Sequence, residues 1–237
     1  MTSWQAIWRF AMYELRQERW GLVISLLFYS YLIVIMLSVV GDGRPFDTHT
    51  MWLGNFMYIT LIPMLGFTMS RTMMRVMSDD SYTHKVAYWR SLPISASLIA
   101  SSRIVQYLII FTVGWLYLFT IHFLFIDWMR EAGLWTMLGS SLTWYGYGVG
   151  IGSSYIIFEL GTSGKRYMVV TLFYMIGYVG LTVALYFAQV SLVEGVVGAV
   201  DQGAWWLPVL ALLAGAAMIA MNQTLIRRRI EHRSFYH

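Results

Sequence analysis

A chain of 237 residues that is 58% hydrophobic and 12% charged carries half the charge of an average soluble domain, about 25%, and reads as an integral membrane protein of all-α class. The absence of cysteine excludes a disulfide framework and any cysteine-based metal site. A net charge of +4 hints at nucleic acid only until the basic residues are placed, because they then sort by side of a membrane.

The first nineteen residues lack the uncharged apolar core of a cleavable leader and are expected to stay. Trp4, Ile7, Trp8, Ala11, Met12 and Leu15 recur at helical spacing, with Gln5, Arg9, Arg16 and Gln17 elsewhere on the wheel. This pattern predicts an amphipathic helix lying in the interface on Trp4, Ile7, Trp8 and Met12. A hydrocarbon core about 30 Å thick needs about 20 apolar residues as helix. Six such stretches follow, at Trp20–Val40, Trp52–Met69, Ile104–Ile126, Trp135–Phe158, Met168–Val190 and Trp205–Leu225. Uninterrupted runs rather than alternating ones select helices over a barrel. None has Asp, Glu, Lys or Arg in its middle, so no buried charge is expected, and His122 reads as a packed residue rather than a relay.

Of the 16 Lys and Arg residues, 14 fall in the N-terminal segment, the second and fourth loops and the tail, leaving Arg44 and Arg130 in the other loops. Basic residues near helix ends stay in the cytoplasm, so both termini are expected there. The chain therefore reads as one transmembrane domain: an entry helix over 1–19, six membrane helices over 20–225 and a basic tail over 226–237. No extramembrane segment is long enough for a folded domain of its own.

Within the fourth span, "YGYGVGIGSS" spaces Gly146 with Gly150 and Gly148 with Gly152, a pattern that favours close helix packing. "ELGTSGKRY" contains Gly164-Lys165, but Glu159 and Arg166 stand where a phosphate-binding loop needs glycine and Ser or Thr. Its Gly161-Thr162-Ser163-Gly164 is similar to the short nucleophile motif of rhomboid proteases. A histidine on a later span is missing, since His232 and His237 lie in the tail. The scattered histidines make no zinc pattern. "SLVEGVVGAVDQGAWWLP", residues 191–208, is expected to form one or two short outer helices, with Trp205 and Trp206 at headgroup level.

"WRSLPISASLIASSR", residues 89–103, carries a proline and five serines in the most basic loop. Pro93 suits a first helical turn, so a short helix is expected to start there. Its partly apolar face, with Leu92, Ile94, Leu98 and Ile99, calls for a protein groove or the interface.

Here the sequence resembles the permease subunits of type-2 ATP-binding-cassette exporters. The resemblance rests on six spans with both termini inside, an amphipathic entry helix, and Ser91-Leu92-Pro93-Ile94-Ser95 leading through Arg103 into "IVQYLIIF". It implies that Arg90, Ser91, Leu92, Pro93, Ile94, Ser95 and Leu98 form a coupling helix for separate ATP-binding-cassette ATPase subunits. It also implies a second permease copy, identical or not, and ATP and magnesium bound on the ATPases, with no cofactor and no enzymatic activity in this chain. Export of an amphipathic or peptide-like substrate across a plasma membrane, bacterial by this resemblance, is the function it points to. The alternative is a non-transporting membrane immunity or sensor protein that binds an antimicrobial peptide. Neither reading involves nucleic acid.

Overall fold

A computed structural model of the chain describes residues 3–40, 48–69, 73 and 79–233. Arg44, Arg71 and Arg75, which entered the charge count, lie outside the described residues. The described residues form ten helices: α1 (Ser3–Gln17), α2 (Arg19–Val40), α3 (Thr48–Met64), α4 (Ser81–Ser91), α5 (Ala96–Phe125), α6 (Asp127–Glu131), α7 (Leu134–Gly161), α8 (Gly164–Phe187), α9 (Leu192–Asp201) and α10 (Trp206–His232). Among these residues the fold is all-helical. Four helices, α2, α5, α8 and α10, are long and apolar enough to cross a membrane, which marks a multi-pass membrane protein.

The fourth expected span, α7, is long but diluted by glycine, serine and tyrosine. The reason lies in its position, because it packs against α3, α5, α8, α9 and α10 and most extensively against α10. A helix surrounded by protein needs small residues for close approach more than apolar bulk. A Cβ on Gly146 would overlap the backbone of Ala211, one on Gly215 would come within 2.6 Å of the Gly146 carbonyl, and one on Gly150 would meet Met218 Sδ at 2.9 Å. On the other side, a Cβ on Gly148 would come within 2.5 Å of Phe111, and one on Gly152 would overlap the Tyr107 hydroxyl. The two glycine pairs thus face different neighbours.

The second expected span is shorter and displaced, with α3 running for 17 residues from Thr48 to Met64 and holding Pro63 inside. Proline has no N–H for the carbonyl four residues back. That carbonyl, on Ile59, instead accepts from the Tyr147 hydroxyl at 2.7 Å. Past the helix end, the Tyr29 hydroxyl lies 2.7 Å from the Met64 carbonyl and 2.6 Å from that of Phe67. Tyrosines of neighbouring helices therefore satisfy the carbonyls that the break at Pro63 and Met64 frees, as a dry interior requires.

Two further boundaries differ from expectation. No separate helix starts at Pro93, since Leu92–Ser95 is a bend between α4 and α5, and α5 begins at Ala96. Ser95 is its N-cap, with its hydroxyl accepting from Leu98 N at 3.2 Å. The last helix also continues beyond Leu225 to His232, because Ile226 and Ile230 are fully buried. Their four-residue spacing places both on one face, continuing the face of buried Asn222.

Candidate functional site

One end of the bundle gathers α1, α4, the α7–α8 turn and the end of α10, and is termed the basal end. Lys85 on α4 bridges Glu14 of α1 and Glu18 of the α1–α2 turn, the latter at 3.3 Å. Thr68 donates to Glu18 at 2.7 Å. Asp80, in the left-handed conformation at φ 44 that aspartate tolerates, accepts from Thr83 at 2.7 Å and from Gly164 N at 2.6 Å. One carboxylate thus closes the start of α4 and caps the N-terminus of α8, where negative charge is favoured. Arg233 donates to the Leu160 carbonyl at 2.9 Å and to Thr83.

The innermost element of this layer is an ion pair. Arg103 of α5 donates Nε to Glu159 Oε1 at 3.0 Å and Nη2 to Oε2 at 2.9 Å, with Nη1 on Gln106 at 3.2 Å and the guanidinium 5.7 Å from the Phe67 ring centre. Glu159 is 4% exposed. The expectation of no buried charge is corrected here. α5 and α7 each extend past the apolar stretch by which they were recognised, and the extensions carry Arg103 and Glu159 into the packed interface. A two-pronged guanidinium–carboxylate contact fixes orientation as well as distance. Burial pushes the Glu18 carboxyl up, but Lys85, Arg103 and the hydrogen bonds from Thr68 and Lys85 outweigh it and hold it below the usual carboxylate range.

Beside this layer lies the segment expected to dock a partner. Arg90, Ser91, Leu92, Pro93 and Ser95 are exposed, while Ile94 and Leu98 are half-buried. Leu92, extended at φ −87 and ψ 158, ends α4, and its N–H donates to the Trp89 carbonyl. The segment is therefore a protruding corner held by α4 on one side and by the capped start of α5 on the other.

The entry helix α1 divides its expected apolar face. Ala11 and Leu15 are buried, as is Glu14, and α5 is the helix that α1 contacts most. Ile7 and Met12 are half-buried, whereas Trp4 and Trp8 are exposed. α1 therefore rests on protein along one edge and presents its tryptophans outward.

Between the ends, α7 and α8 share a strip of hydroxyl-bearing rings. Tyr174 and Ser154 hydroxyls are 2.6 Å apart, those of Tyr155 and Tyr178 are 3.0 Å apart, and the Tyr155 and Tyr174 ring centres are 4.3 Å apart. Asn222 of α10 donates to Ser153 at 2.7 Å, and Gln223 to Ser101 at 2.8 Å. His122 is fully buried, with Nδ1 2.8 Å from the Tyr58 hydroxyl. At the opposite, distal end, Asn55 donates to the Val190 carbonyl and accepts from Leu192 N, both at 2.8 Å. It anchors α9, a single helix with Ser191 as its N-cap, while Trp205 and Trp206 stay exposed. Ser163 is the N-cap of α8.

The sequence reading missed Glu14, Glu18, Asp80, Lys85 and Glu159. A usable signal existed for Glu14 alone, since it lies three residues after Ala11 and beside Leu15 on the side of α1 that packs. No protein family, no curated protein and no solved structure matches the chain.

Proposed function

We propose that the chain is the membrane permease subunit of an ATP-binding-cassette exporter, with α2, α3, α5, α7, α8 and α10 as six spans and the basal end in the cytoplasm. The observation that carries this reading is the protruding corner Arg90–Ser95 at the foot of the 30-residue helix α5. It is uncharged between Arg90 and Arg103, exposed except for half-buried Ile94, and leads directly into a helix that runs through the bundle. An ATPase subunit pressing on it would transmit its displacement along α5. The Arg103–Glu159 pair, two turns into that helix, would carry the displacement to α7. The chain would supply the path and a second copy its other half, with ATP and magnesium held on the ATPases. The tyrosine strip between α7 and α8 offers rings with hydroxyls, which suits an amphipathic substrate.

The test is co-purification of the full chain with its ATPase, followed by transport in reconstituted vesicles. Leu92→Asp together with Ile94→Asp is expected to release the ATPase or to reduce ATP-driven transport at least tenfold, with the chain still folded. An intact, fully coupled complex in that variant would remove the docking role. Transport by the chain in vesicles that hold no ATPase would remove the reading altogether. A membrane protein that binds a toxic peptide without moving it would show binding with no vesicle uptake or release.

A further inference from the structure

Between α1 and α4 the basal end holds a cavity of about 490 Å³ lined by Tyr13, Glu14, Gln17, Glu18, Trp20, Gly21, Ser81, Lys85, Tyr88 and Trp89. Its ionisable lining consists of two carboxylates against one ammonium, a local balance of −1. Its rim is aromatic and outward-facing, with Trp20 69%, Tyr88 65% and Tyr13 56% exposed. An ammonium is already stabilised in this lining, because Lys85 Nζ lies 4.9 Å from the Trp89 ring centre while it bridges Glu14 and Glu18. A phosphate or carboxylate would meet a lining with one more carboxylate than ammonium and gain little from the rings. A cation gains from both, since ring faces carry negative quadrupole density and attract ammonium groups within about 6 Å, most strongly when desolvated.

We propose that this cavity binds the ammonium group of an organic cation, with Glu14 and Glu18 supplying the charge and Tyr13, Trp20 and Tyr88 the rings. Glu14 is 4% exposed, so its carboxylate is screened little by water. The volume accommodates a trimethylammonium head with room to spare. The site stands whether or not the chain belongs to a transporter. The head could come from a bilayer lipid or from a free cation, and the chemistry of recognition is the same.

The test uses the full chain in nanodiscs of phosphatidylglycerol, with choline as the probe and saturation-transfer NMR of its methyl protons as the readout. Saturable transfer is expected for choline and none for 3,3-dimethylbutan-1-ol, its neutral counterpart of the same shape. Glu14→Gln preserves size and leaves Lys85 paired with Glu18, Tyr88→Ala changes an exposed residue, and elution as a single species in mild detergent checks that both variants are folded. Each is expected to weaken apparent affinity on the order of fivefold. Nanodiscs of phosphatidylcholine separate the two sources: loss of the free-choline signal there identifies the lipid headgroup as occupant, and an unchanged signal identifies a free cation. Absence of saturable transfer in phosphatidylglycerol, equal transfer from the neutral alcohol, or full affinity in both variants overturns the proposal.

Discussion

Helices α7 and α8 follow each other in the chain with only Thr162 and Ser163 between them, yet they solve opposite problems. α7 is buried along most of its length, with glycines pressed against α10 on one side and against α5 on the other. α8 holds an apolar stretch long enough to cross a membrane, but only 6% of that stretch is buried inside the protein. Two of its glycines, Gly177 and Gly180, have nothing within 4 Å of where a Cβ would stand. Within a membrane protein, then, hydropathy and burial part company. Lipid and protein are equally apolar solvents for a side chain, and the residues that mark a protein neighbour are small or hydrogen-bonding ones.

Five substitutions sharpen this contrast. Gly146→Leu places a side chain into the Ala211 backbone, and a destabilisation above about 4 kcal/mol is expected. The variant should fail to elute as a single species in mild detergent, and normal elution would deny the close approach of α7 and α10. Glu159→Ala leaves the Arg103 guanidinium buried without its carboxylate, a loss of about 3–5 kcal/mol for such a pair. Thermal unfolding in detergent should register it, and a shift no larger than that of an exposed carboxylate would mean the pair is open to water. Asn222→Ala removes one buried contact to Ser153, with an expected cost of about 1–2 kcal/mol by the same assay. Gly177→Ala and Gly180→Ala meet no neighbour and improve helix propensity, so stability should stay level or rise by up to about 1 kcal/mol each. If they cost as much as Asn222→Ala, α8 has a protein partner on that face.

The helical class, the apolar runs and the amphipathic start were legible because each depends on periodicity or length within one window of sequence. The basal layer was not, because its contacts join residues far apart in the chain. Arg103 meets Glu159 across 56 positions, and Lys85 meets Glu18 across 67. Charges at the edge of an apolar run look like loop residues until a second helix arrives with the opposite sign. The end of α10 was misread for a related reason. Arg227, Arg228 and Arg229 dominate the composition there, while the informative signal is the quieter spacing of Asn222, Ile226 and Ile230. The Leu92–Ser95 bend was partly legible. Pro93 was expected to start a short helix, but Ser95, whose hydroxyl accepts from Leu98 N, is the N-cap and sets where α5 begins.

The carboxylate of Asp80 holds the first residue of α8, and the amide of Asn55 holds both sides of the turn that follows its last. In mechanical language α8 is a beam pinned at its two supports and tied to α7 at mid-span by the Tyr174–Ser154 and Tyr178–Tyr155 hydroxyl contacts. Such a member is held against sliding along its own axis. Asp80 bonds the first turn of α4 through Thr83 and the first residue of α8 through Gly164 N, so the two helices stand on one shared support.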